Sequence, residues 1–227
     1  MKYFYVVFFL IGLLLSNKEE QISFLVKYNG IKAGEAVLEK SISNHNINLT
    51  FNLKSRKFID LIYKLRENLS ITIDKQNFSI LNINKSTQQG KYKKAFQASF
   101  DYNNSIGYIN NNKIQIQNSI YDPISIIYHL RNEDLNQKKI FEYDIISKEN
   151  IKKIIMQVVG NEKITINNKD YECTVLEAID QSIKEKSQSG IFKLWISSDI
   201  NMLPIIIQKK ANSGIIKMEI SNYEIFE

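Results

Sequence analysis

The amino-acid sequence predicts an all-β fold: an antiparallel meander curled into a barrel or β-roll, with one short helix near residues 122–132. Three observations carry this. Apolar and polar residues alternate with period two through most of the chain, the signature of half-buried strands. Asn- and Gly-containing turns separate these runs at short, regular intervals. Only one stretch has both a helix start and a helix stop signal.

The chain opens with Lys2 and an apolar run from Tyr3 to Leu15 that ends at Ser16-Asn17-Lys18. A positive start and a run shorter than the ~20 residues of a membrane-spanning helix match a signal-peptide core. Residues 1–16 are therefore expected to be a signal peptide, or an uncleaved anchor, since Leu14-Leu15-Ser16 lacks a small residue two places before the cut. No cysteine follows the run to take a lipid. Residues 20–227 are expected to form a single exported all-β domain.

In the first strand Ile22, Phe24, Val26 and Tyr28 alternate with Gln21, Ser23 and Lys27, and Asn29-Gly30 supplies a tight hairpin turn. A second strand runs from Gly34 to about Ser41, and after Asn44-His45-Asn46 a third presents Ile47, Leu49, Phe51 and Leu53. Phe58 to Asn68 fits a helical stripe as well as a strand, and reads as an irregular or short helical entry into the alternating Leu69–Asp74. Strands follow at 78–85, 92–101, 105–109 and 113–117. Asp122 can cap a helix, Pro123 suits its first position, and Ile124, Ile126, Ile127, Tyr128 and Leu130 give it an apolar body before Arg131-Asn132. Strands resume at 139–147, 151–159, 163–167, 171–183, 190–197, 203–210 and 214–223.

Two prolines and eight glycines in 227 residues leave no Pro- or Gly-rich linker. The net charge of +6 is carried by dispersed lysine, and Arg56, Arg66 and Arg131 are the only arginines, so no nucleic-acid surface is expected. Cys173 is the only cysteine, which excludes an intramolecular disulfide and reads as a buried strand thiol.

The order of several blocks resembles the bacterial envelope family named domain of unknown function 3108. The blocks are Phe24-Leu25-Val26-Lys27-Tyr28-Asn29-Gly30-Ile31 with Ala33-Gly34; Asp122-Pro123-Ile124-Ser125 through Tyr128 and Leu130-Arg131; and Leu194-Trp195-Ile196-Ser197-Ser198-Asp199 with Leu203-Pro204-Ile205 and Gly214-Ile215-Ile216. Val159-Gly160-Asn161-Glu162 and Tyr171-Glu172-Cys173 fall in the same order. The resemblance implies an antiparallel β fold and a periplasmic or envelope location in a Gram-negative bacterium. It implies no activity and hence no catalytic residue.

Candidate chemistry is sparse. The histidines are His45, in a turn, and His129. Asp122, Ser125 and His129 share one helix and offer the residue types of a serine hydrolase, but no Gly-x-Ser-x-Gly elbow accompanies them and Asp122 is more simply a cap. Glu142 and Asp144, and Glu133 and Asp134, are the carboxylate pairs, and no spacing of His and Cys fits zinc. Arg131 is the candidate ligand-binding residue, either a fixed anion contact at the mouth of the roll or a partner for helix carbonyls and a nearby carboxylate. Trp195 reads as core. The resulting expectation is a non-catalytic protein without a cofactor that holds a lipid or other hydrophobic ligand inside the curled sheet. The alternatives are an envelope protein that works through protein partners and, less consistent with the residues, the hydrolase. Membrane association is expected only through an uncleaved N-terminal segment.

Overall fold

The computed structural model describes residues 18–61, 63–147, 150–180, 192–211 and 214–226. The leader expected at 1–16 lies outside these residues, as does the end of the strand expected at 171–183. The described residues form one sheet of fifteen strands. Its first half is β1 (Lys18–Tyr28), β2 (Ile31–Ile42), β3 (Asn46–Ser55), β4 (Leu65–Asp74), β5 (Ile80–Gln89), β6 (Tyr92–Asp101), β7 (Ile106–Ile109) and β8 (Asn112–Gln115). Its second half is β9 (Ile120–Tyr121), β10 (Ile140–Ser147), β11 (Asn150–Ile166), β12 (Lys169–Asp180), β13 (Phe192–Ser197), β14 (Pro204–Ala211) and β15 (Gly214–Ile225).

Each half is a meander, and β1 joins them by pairing with β15, so the order runs from β8 back to β1 and then from β15 back to β9. Every pair is antiparallel except the two-residue contact of β9 with β10. Of the two expected architectures the protein adopts the open roll: β8 and β9 end the order and do not pair with each other.

The curl follows from alternation. Ile22, Phe24 and Val26 of β1 are buried, and in register beside them Leu38 faces Ile22 and Ala36 faces Phe24. Leu49 and Phe51 of β3 and Leu69, Ile71 and Ile73 of β4 continue the stripe. A sheet with one apolar face must cover it, and this one does so by wrapping. Register shifts after Ser23, after Val158 and after Trp195 insert bulges that sharpen the bend. At Gly34 the strands come so close that a Cβ would lie 2.5 Å from the Lys54 carbonyl oxygen, which only glycine avoids.

The helical stripe at Phe58–Asn68 materialises as a single turn, α1 (Lys57–Asp60), and β4 already begins at Leu65. A polar knot decides this. The Ser55 hydroxyl donates to Asp60 at 2.5 Å and accepts the Leu65 N–H at 2.8 Å, while Arg66 pairs with Asp60. The loop is thereby pinned, and Phe58 and Leu61 are left facing solvent.

Helix α2 (Pro123–Leu130) forms where expected, starting from Asp122 in extended conformation. Ile124, Ile126, Ile127, Tyr128 and Leu130 are all buried, so the helix is enclosed by the roll instead of lying on it. The Tyr102 hydroxyl, at the end of β6, donates to the Ile80 carbonyl at 2.8 Å and accepts the Ile120 N–H at 3.2 Å. That contact brings the β9 end of the sheet round beside β5.

Candidate functional site around the enclosed helix

The residues singled out in the sequence gather on α2, and each has an internal partner. Asp122 Oδ1 accepts the N–H groups of Ile124 at 2.8 Å and Ser125 at 3.2 Å. The Ser125 hydroxyl accepts the Asp122 N–H at 2.9 Å and donates to the Asp122 carbonyl at 3.0 Å. This is a reciprocal capping box, which satisfies the donors at a buried helix start. His129 Nδ1 shares a 2.9 Å hydrogen bond with the Tyr143 hydroxyl, and its Nε2 lies 3.6 Å from Glu133. The rings of Phe78, Tyr121 and Tyr143 stand edge-on around the imidazole. No hydrogen bond among the described residues links Ser125 to His129, so the three residue types do not form a proton relay.

Burial sets the electrostatics here. It raises the Asp122 carboxyl to about 6, against the lowering effect of the Ile124 N–H, the Lys85 charge and the Ser125 N–H, with Glu67 adding to the rise. Burial lowers the His129 imidazole, with Glu133 and Lys138 pulling in opposite directions. A carboxyl whose pKa is higher folded than unfolded weakens the fold when ionised, and this penalty is fully present above about 6 and relieved as pH falls through that value. Asp122→Asn keeps the capping oxygen and removes the charge. It is expected to be more stable than the wild type by about 1–3 kcal/mol at neutral pH, with the gap closing below the folded pKa. Urea unfolding across a pH series measures this, and a pH-independent difference contradicts it.

Arg131, the C-cap of α2, forms the strongest cluster. Its Nη1 and Nη2 donate to Glu20 Oε1 and Oε2 at 2.6 and 2.7 Å, and Nη2 also reaches the Asn201 carbonyl at 3.0 Å. Tyr128 donates to Glu20 Oε1 at 2.9 Å and Tyr223 to Oε2 at 3.3 Å. The guanidinium also sits 5.1 Å from the Tyr128 ring centre. Glu20 is only 3% exposed. Burial alone would raise its pKa, but the hydrogen bond and charge of Arg131, the charge of Lys40 and the Tyr128 hydroxyl lower it overall. The anion that Arg131 holds is thus the protein's own, and the helix carbonyl expected to use it is met by Asn132 Nδ2, which donates to the Tyr128 oxygen at 2.7 Å.

Glu20 was not legible as a site residue. Its signal is positional: it lies in phase with Ile22, Phe24 and Val26, a carboxylate on an apolar stripe. The other candidates are unremarkable in their surroundings. His45 is exposed in a turn, Glu142 faces solvent, Glu133 lies near His129 and Lys138, and Asp134 accepts the N–H groups of Asn136 and Gln137. Asp144 accepts from Asn118 and lies 3.7 Å from Lys153. Cys173 is buried, and burial pushes its thiol up to about 11. Trp195 is buried with its indole N–H on Glu162 at 2.8 Å. Among the described residues no group of His, Cys, Asp and Glu is placed to hold a metal ion, and no helix is long and apolar enough to cross a membrane.

Depressions do occur on the surface. One of about 720 Å³ lies over β2–β6 and is lined by Thr50, Asn52, Asn68, Ser70, Asn84 and Ser86 together with Leu69, Ala95 and Phe96. The polar residues are out of phase with Leu49, Phe51 and Ile83, so the trough lies on the outside of the roll. Another of about 410 Å³ lies beside Tyr121, Glu142, Tyr143 and Lys153.

A family model described as a protein of unknown function, DUF3108, matches residues 23–221. No curated protein matches the chain. Among solved structures, the chain is similar to a crystal structure described as a β-barrel-like protein of domain of unknown function DUF1849 from Brucella abortus. The TM-score is 0.65 at 8% identity, with 93% of this chain and 99% of that one covered. That likeness concerns the fold alone.

Proposed function

Since the chain belongs to the DUF3108 family of proteins of unknown function, its role has to be argued from its own residues, and we propose that it is a non-catalytic envelope protein working through its outer surface with a protein partner. The observation that carries this is the occupied interior. The inward stripes of the sheet close around α2, and Ile126, Ile127 and Leu130 of the helix are as fully buried as Ile22, Leu38 and Ile71 of the strands. A lipid carrier of this architecture needs a hollow of a few hundred Å³ lined by apolar side chains. Here those side chains pack on one another and on the helix, and the trough over β2–β6 lies on the outer face of the sheet, its wall shared between polar residues and Leu69, Ala95 and Phe96.

The engagement of Ser125 in the capping box and of Arg131 with Glu20 supports a structural use of the two most chemically suggestive residues. The leader-like Lys2–Leu15 supports export. The test is crosslinking in intact cells, paired with native mass spectrometry of gently purified protein. A discrete protein adduct with no co-purifying lipid is the expected outcome. A stoichiometric lipid overturns the proposal.

A further inference from the structure

The two ends of the roll differ in the charges they present. β1 enters at Glu20 and leaves at Tyr28, about 26 Å further on. The registers Tyr28 with Ile31, Gly34 with Ser55 and Leu65 with Gln89 place the β1–β2 turn, the β3–β4 loop and the β5–β6 turn at the Tyr28 end, and the register Tyr28 with Ile216 sets the start of β15 beside them. Hydrogen bonds join them into one rim. The Asn29 N–H donates to the Ile215 carbonyl at 2.9 Å, the Arg56 N–H to Ala33 at 2.9 Å, and the Gly90 N–H to Lys64 at 2.7 Å. The Glu20–Arg131 clamp and the β13–β14 turn lie at the opposite end, tied by Arg131 to Asn201; that end also exposes Ile200 and Ile225, but with Asp199 and Glu224 beside them.

The rim is apolar at its tips. Ile31 on the first turn, Phe58, Leu61 and Tyr63 on the loop and Tyr92 after the third turn are each more than half exposed. Between them stand the exposed lysines Lys32, Lys57, Lys64, Lys91 and Lys93. Carboxylates beside these connections have cationic partners within the protein: Glu35 has Lys54 and Arg56, Asp60 has Arg66, Glu67 has Lys85, and Glu219 has Lys27 and Lys217. Aromatic and aliphatic tips ringed by lysine match a bilayer surface, where rings settle at the headgroup level and each lysine is drawn to anionic lipid.

We propose that this rim docks the roll, end-on, on an anionic membrane surface, with Leu61 and its neighbours entering the headgroup region. The contact is separate from any N-terminal anchor, because β1 begins at the far end. It is also independent of which protein the outer surface engages, so the two readings fail separately.

The test places an environment-sensitive thiol fluorophore at either end of the full chain. Leu61 and Ile200 are 88% and 98% exposed, so Leu61→Cys and Ile200→Cys accept the label without disturbing the core, and the native Cys173 is buried. Phosphatidylglycerol vesicles are expected to blue-shift and brighten the probe at position 61 several-fold and to leave that at 200 unchanged, while phosphatidylcholine vesicles do neither. In the Leu61→Cys background, Lys57→Glu with Lys91→Glu and Lys93→Glu is expected to weaken vesicle binding about a hundredfold. An unmoved probe at 61, an equal response at 200, or binding indifferent to the three lysines overturns the proposal. A rim that responds only to an added protein fraction does so too.

Discussion

Glu20→Gln lowers the stability of the protein by about 3–5 kcal/mol, because it leaves the Arg131 guanidinium buried without its counter-charge. For a chain of this length that is a drop of about 10 °C in Tm, measurable by calorimetry or by loss of near-ultraviolet signal. The effect is large because the carboxylate is the shared acceptor of Arg131, Tyr128 and Tyr223, which come from the helix and from β15. The amide keeps one acceptor oxygen but turns the other into an NH2 that faces the same donors, and an unmet buried donor costs more than a typical hydrogen bond contributes.

The double variant Glu20→Leu with Arg131→Met separates a missing partner from a missing interaction. Replacing both charges by apolar groups of similar size is expected to recover most of the loss. If the double variant is no better than Glu20→Gln alone, the clamp is not the source of the effect. The pH dependence carries a second check. The folded pKa of Glu20 is lowered below 4.5, so its contribution is fully present above that value and is lost as pH falls through the folded pKa. That sign is opposite to the one expected for Asp122, and the two variants therefore separate on one acid titration.

Leu130→Ala is expected to cost about 3–5 kcal/mol in urea unfolding, the upper part of the range for a buried leucine. Leu130 is fully buried at the last turn of α2, where the helix is held on one side by the Glu20 clamp and on the other by His129 against Tyr143. With both flanks pinned the site collapses little, and the truncation leaves a cavity in place of the side chain. The variant should then bind a small apolar probe such as benzene that the wild type excludes. A cost near 1 kcal/mol would mean that the roll is loosely filled. That result would remove the observation on which a role at the outer surface rests and restore an internal ligand.

The sheet was legible because its information is local. Ile22, Phe24 and Val26 announce an inward face by spacing alone, and Asn29-Gly30 announces the turn. Helix α2 was legible for the same reason: Asp122, Pro123 and Ser125 specify its start through bonds made within three residues. The segment after Ser55 was ambiguous because its local pattern supports a helix, while the bonds from Ser55 to Asp60 and Leu65 come from across a hairpin. The two-residue β9 was missed because so short a parallel contact has no period to read.

The same division runs through the candidate site. Arg131 stood out as a rare arginine at a helix end, and a carboxylate partner was anticipated, but nothing in its neighbourhood named Glu20, 111 residues away. The rim was scattered through the chain as unrelated turns until the antiparallel order stacked them at one end.

By itself the sequence determined the fold class, the alternating inward face and the position of the single enclosed helix, since each depends on side chains within a few residues of one another. Tertiary structure alone decided that the roll stays open, that Arg131 is answered by Glu20, and that the tips bearing Ile31, Leu61 and Tyr92 come together with the lysines around them. Those outcomes depend on which distant strands become neighbours, and that is a property of the whole hydrogen-bonded sheet.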